Sequence, residues 1–189
     1  MRNVLLVESS AELTLLESDL CNNGYLVQKI QYSPFLITQI KKCSPEILIF
    51  NIDSPSDIHI TDLRSLDSQL PLPVIVFTKI CHPETINKLI TAEVSALIID
   101  GLPCNRLSSI IQVAIARFKQ SQALRQALEE ARTQLEDRKQ IERAKAILIK
   151  TQKFSEDEAY HKLRKLAMDR KISLGDMARN VIAMAELLN

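Results

Sequence analysis

The sequence predicts an α/β domain, a five-stranded parallel sheet with helices on both faces, followed by a long helix that ends in a small three-helix bundle. Three features predict it. Five short apolar runs alternate with amphipathic stretches: VLLV (4–7), YLVQKI (25–30), EILIF (46–50), VIVF (74–77) and ALII (96–99). Between Pro103 and about Thr151 there is no further proline and no glycine, while apolar residues recur at helical spacing. Two helix-start signals, at Ser155 and Ser173, divide what remains.

Runs of aliphatic and β-branched residues bounded by Gly, Pro, Asn and Ser read as strands buried on both faces. Leu13, Leu16 and Leu20 mark the first intervening helix, and Ile86, Leu89 and Ile90 a later one. Asn22-Asn23-Gly24 closes the first helix and Ser33-Pro34 opens the second. Strands alternating with helices form a parallel sheet covered on both sides. Functional groups of such a sheet gather at the carboxyl ends of its strands, where Glu8, Asn51, Thr78 and Asp100 fall.

Ile111, Ile115 and Phe118 lead into Leu124, Leu128, Ala131 and Leu135. The last four are spaced 4, 3, 4, a heptad seam with charged residues on the other faces. The pattern reads as the sheet domain's last helix running on without a break. A lone helix that is polar on most faces is poorly stabilised. A solvated linker is the plain reading; a homodimeric coiled coil is favoured, because only a partner buries the seam. Ser155 and Glu158 form a capping box, in which hydroxyl and carboxylate each accept from an orphan N–H, and Ser173 with Asp176 repeats the idea. Ala159, Leu163 and Leu166 follow the first cap; Met177, Val181, Ile182 and Ala185 follow the second. Ile141, Ala144 and Leu148 add a third stripe. The expected domains are 1–118, a coiled-coil linker over 119–137, and 138–189.

The net charge of +1 divides unevenly: residues 1–116 hold 8 Lys+Arg against 12 Asp+Glu, and residues 117–189 hold 16 against 11. An acidic front and a basic back point to two modules with different partners. No apolar run approaches the roughly 18 residues of a membrane span. The first apolar run is too short for a signal peptide, with Glu8 following at once, so a cytoplasmic protein is expected. Cys21, Cys43, Cys81 and Cys104 show no CxxC spacing and read as reduced and mostly buried. The histidines are equally scattered, so no metal or other cofactor is expected. No nucleophile–base pair suggests an enzyme.

Over residues 1 to about 118 the pattern resembles the receiver domain of bacterial response regulators, which has a flavodoxin-like fold. In that family an acidic pair after strand one and an aspartate ending strand three hold Mg²⁺. The aspartate accepts a phosphoryl group that a hydroxyl after strand four and a lysine after strand five then contact. The matching positions here are Glu8 and Ser9, Asn51, Thr78 and Asp100. An amide is no nucleophile for phosphoryl transfer, and Glu8 alone leaves Mg²⁺ short of anionic oxygen. Asp100 places negative charge where phosphate needs a cation. Asp53 lies roughly 6–7 Å further along the strand, and its Asp-Ser-Pro context reads as a cap on the following turn rather than a substitute acceptor. The resemblance implies a receiver fold without its chemistry.

The stretch QIERAKAILIKTQKFSEDEAYHKLRKLAMDRKISLGDMARNVI resembles the ANTAR domain of transcription antitermination regulators. Ile141, Glu142, Ala144, Lys145, Leu148, Ser155, Glu158, Ala159, Tyr160, Leu163 and Arg164 match its pattern. Ala146, usually glycine, and Ile149, usually methionine, depart from it in helix-compatible ways. VSALIIDGLPCNRLSSIIQVAIARF resembles the junction in nitrate-assimilation members of the family. The resemblance implies binding to RNA hairpins in a nascent leader, in competition with a terminator. With no phosphoacceptor, it also implies control by a ligand-sensing partner protein. From Arg138 to Lys171 there are eleven Lys+Arg against five Asp+Glu. Lys139, Arg143, Lys145, Arg164 and Arg170 are therefore candidate RNA contacts, with an ion-paired solvated face as the plain alternative. Tyr160 either stacks on a base or fills the small core. Leu124, Leu128, Ala131 and Leu135 would hold a homodimer. The competing reading is a phosphorylation-dependent DNA-binding response regulator, for which Arg179 and Asn180 are the base-reading candidates of the last helix.

Overall fold

The computed structural model describes residues 2–9, 14–100 and 106–187. The chain forms two compact units, Met1–Gln122 and Ala123–Asn189. In the first, strands β1 (Asn3–Glu8), β2 (Leu26–Gln31), β3 (Ile47–Ile52), β4 (Val74–Thr78) and β5 (Ala96–Ile99) alternate with helices α1 (Thr14–Asn22), α2 (Leu36–Cys43), α3 (Asp57–Gln69) and α4 (Pro83–Thr91). Every neighbouring pair is parallel, in the order β2-β1-β3-β4-β5. Helix α5 (Leu107–Gln152) is 46 residues long, and α6 (Glu156–Arg170) and α7 (Leu174–Leu187) follow it.

The period of two along each strand divides the core into two layers. Leu5, Val7, Leu48, Phe50 and Val76 pack with Leu36, Ile40, Ile60, Leu63 and Leu89 from α2, α3 and α4. Val4, Leu6, Ile49, Ile75 and Phe77 face the other way, against Leu16 and Leu20 of α1 and Leu107 and Ile111 of α5. Three expectations need correction. β2 and β5 are not buried on both faces, because they are the edge strands: most side chains of β2 meet solvent, and those of β5 are half-buried or exposed. α2 begins at Leu36 rather than at Ser33-Pro34; the Ser33 carbonyl accepts from the Leu36 N–H at 3.1 Å in a turn, since proline disfavours a helical residue before it. The described cysteines are not buried: Cys21 is exposed and Cys43 and Cys81 are half-buried, at helix ends and in a loop on the margin of the core. Leu13 and Cys104 lie outside the described residues.

In the second unit, Ala144, Leu163, Ala167, Met177, Ala178 and Ile182 form the small core. Ile141, Leu148, Leu166 and Val181 flank it, half-buried. The α6 capping box is complete: the Ser155 hydroxyl accepts from the Glu158 N–H at 3.3 Å, and the Glu158 carboxylate accepts from the Ser155 N–H at 2.8 Å. Ser173 accepts from the Asp176 N–H at 3.0 Å and donates to the Asp176 carboxylate at 2.6 Å. Gly175 marks a close approach of helices, since a Cβ there would sit 2.3 Å from Asp137 Oδ1 on α5.

Candidate functional site

The carboxyl ends of β1 and β3 bring Glu8 and Asn51 into register, 2% and 3% exposed. Lys29 of β2 places Nζ 2.5 Å from Glu8 Oε2 and 3.7 Å from Glu17 Oε2 of α1. The close contact is a charge pair rather than an aligned hydrogen bond, and Glu8 Oε1 and Asn51 Nδ2 have no hydrogen-bond partner. Thr78 Oγ1 is committed to backbone, 2.9 Å from the Asp53 carbonyl and 3.0 Å from that of Ile80. The Asp53 carbonyl also accepts from the Lys79 and Ile80 N–H groups, each at 3.1 Å. The exposed Asp53 carboxylate pairs with Lys79 at 2.9 Å. It does not cap the following turn: Ser56 is the N-cap of α3, its N–H donating to His59 Nδ1 at 3.0 Å. Ser9 and Asp100 are exposed. Among the described residues this corner offers one buried carboxylate, Glu8, and it already faces the Lys29 ammonium, which is a poor fit to a divalent cation. Among the described residues no group of three or more His, Cys, Asp or Glu is placed to hold a metal.

The cations of the three-helix tip fall into two sets. Lys145 is only 8% exposed, 2.7 Å from Glu156 and 3.1 Å from Glu142. Arg143 of α5 holds Glu186 of α7 at 2.8 Å. Arg179 of α7 holds Asp137 of α5 at 2.7 Å and Asp176 at 2.8 Å. These three join helix to helix. Lys139, Arg164 and Arg170, by contrast, are exposed with no ion-pair partner among the described residues, as are Lys162 and Lys165. Tyr160 is 38% exposed, outside the core cluster, with its ring edge-on to His161 at 6.1 Å. It is therefore not the core filler. An open groove of about 350 Å³ is lined by Phe154, Glu158, His161, Lys162 and Lys165. Phe154 and His161 were not among the candidates from sequence; the spacing of 158, 161, 162 and 165 along one face of α6 was the available signal. Farther back on α5, Leu124, Leu128 and Leu135 are 65%, 54% and 62% exposed, and Ala131 is exposed too.

Hydrogen bonding holds several carboxyls of the tip below the usual range: Lys145 acts on Glu156, the Ser155 N–H on Glu158, and the Ser173 hydroxyl and then Arg179 on Asp176. A carboxyl with a depressed folded-state pKa stabilises the fold above its unfolded value, here 4.5 for glutamate and 3.8 for aspartate, and that contribution fades as pH falls through the folded value. Lys145 is raised above 10.5, by Glu156 first and then Glu142, so its share is lost only as pH climbs beyond that. The melting midpoint should therefore hold level at neutral pH and fall in acid, below about pH 4.5. In Glu156→Gln with Glu158→Gln the acid limb should be shallower in circular-dichroism melts. An unchanged limb would contradict these assignments.

Comparison with known proteins gives likenesses for both units. Residues 122–182 match the ANTAR domain family. The matched stretch follows the receiver-like sheet unit in the sequence. Over 183 residues it is 24% identical to the transcriptional regulatory protein PdtaR of Mycobacterium tuberculosis, spanning 96% of this chain and 89% of the relative. The sheet unit resembles the signal receiver domain of a modulated diguanylate cyclase from Desulfovibrio desulfuricans G20, with TM-score 0.56 and 19% identity over 64% of this chain and 98% of that one. It also resembles the receiver domain of a signal transduction histidine kinase from Syntrophus aciditrophicus, with TM-score 0.52 and 19% identity over 61% and 92% of the two chains. These structural likenesses establish the flavodoxin-like receiver fold.

Proposed function

We propose that the protein is an RNA-binding transcription antiterminator, whose three-helix tip grips hairpins in a nascent leader and keeps a terminator from forming. The observation that carries this reading is the sorting of the tip's charge. Of the eleven cations between Arg138 and Lys171, Arg143 and Lys145 are spent on ion pairs within the bundle. The other nine are exposed and unpaired among the described residues. The groove beside Lys162 and Lys165, with the rings of Phe154, His161 and Tyr160 nearby, suits an unpaired base whose flanking phosphates meet the ammonium groups. Lys139, Arg164 and Arg170 add further exposed positive charge to the tip; Lys145 and Arg143 act by holding its shape. Arg179 is engaged by Asp137 and Asp176, which removes the main base-reading candidate of the DNA-binding alternative. The exposed leucine seam fits a second copy of the chain. Regulation falls to a ligand-sensing partner protein, which must prefer a form that does not bind RNA; by family resemblance the responding pathway is nitrate assimilation.

Binding to a leader hairpin across a salt series tests this. Affinity should fall steeply and log-linearly with salt. Lys162→Ala with Lys165→Ala should lower affinity about 10-fold or more and flatten the slope. Lys145→Met should leave the slope as in the wild type. An affinity that ignores salt would refute the reading.

A further inference from the structure

We propose that Lys29 is a resident cation that takes the place of the divalent ion of a working receiver, so that the front module is held in one metal-independent state by its own ammonium. Four observations lead there. Glu8, at the acidic corner, is 2% exposed, and a buried carboxylate is strongly unfavourable unless a counter-charge accompanies it. Lys29 Nζ supplies that charge at 2.5 Å. The same ammonium lies 3.7 Å from Glu17 on α1, so one cation stands between carboxylates of two different elements, much as a divalent ion would. The neighbouring acceptor position is Asn51, whose amide adds no charge and whose Nδ2 is buried without a partner.

The geometry follows from strand order. β2 is an edge strand beside β1, with Lys29 opposite Leu6, and an edge position lets the ammonium enter from the side while its stem lies along the sheet. A metal ion reaching Glu8 would have to displace a tethered cation whose local concentration is set by the backbone itself. Among the described residues it would gain one buried carboxylate in return. Neither Mg²⁺ nor a small phosphoryl donor then alters this module, and signals reach it by surface contact. The inference stands on the front unit alone and does not depend on RNA binding.

A double-mutant cycle on the full chain, with a manganese titration, tests it. Lys29→Met should lower the melting midpoint, Lys29→Arg should keep most of it, and Lys29→Met/Glu8→Leu should recover most of what Lys29→Met loses. The wild type should show no saturable enhancement of solvent-proton relaxation by Mn²⁺. A double variant no more stable than Lys29→Met would overturn the proposal. So would saturable Mn²⁺ binding by the wild type that Glu8→Gln abolishes.

Discussion

Leu128→Asp should split the proposed homodimer into monomers and weaken binding to a leader carrying two hairpins by about 100-fold or more. Leu124, Leu128 and Leu135 are each more than half exposed on α5, at heptad spacing. Burying one such leucine against a partner is worth about 1.5–3 kcal/mol, and a carboxylate in the same seam would be buried without a counter-charge. The loss in RNA affinity follows from geometry rather than contact. Two tips on one stalk make the second hairpin's binding intramolecular, and a monomer forfeits that gain. Affinity for a single hairpin should therefore change little, which separates this effect from damage to the tip. Sedimentation velocity and titrations with one- and two-hairpin RNAs provide the measurements. A monomeric wild type, or a Leu128→Asp variant that still dimerises, would refute the seam.

Asn51→Asp restores the acceptor residue type of a receiver, yet it should destabilise the front module by about 3 kcal/mol and take no phosphoryl group. Position 51 is 3% exposed, in register with the buried Glu8. The Lys29 ammonium is already set against Glu8, and that of Lys79 against Asp53. A second carboxylate would be pushed toward its protonated form by burial and by like charge. Its folded-state pKa would lie above the unfolded value, so stability would be retained in acid and lost as pH rises. The deficit in denaturant unfolding should accordingly be larger at about pH 8 than at about pH 5. Labelling should fail because the Thr78 hydroxyl is held by backbone carbonyls, and because Asp100 stands at the position that the receiver resemblance gives to a lysine. Incorporation of phosphate from acetyl phosphate, read by intact mass, would contradict this account, as would wild-type stability at both pH values.

Much of the molecule was legible in one dimension. The apolar runs placed all five strands to within a residue or two, the glycine- and proline-free stretch announced α5, and Ser155 with Glu158 announced α6. Such features depend on period and on groups within one helical turn, which the local sequence determines. The expectation of a lost phosphoacceptor rests likewise on residue type alone, at Asn51. What only the tertiary structure decided is which side chains meet across elements. Nothing local says that β2 lies at an edge, that Lys29 answers Glu8, or that Thr78 is spent on the Asp53 carbonyl. The tip makes the same point. Lys145 and Lys162 are alike as letters, but bundle packing buries the first between Glu142 and Glu156 and leaves the second at an open groove. Burial and pairing of charge are set by distances between segments remote in sequence, and those distances exist only once the chain has folded.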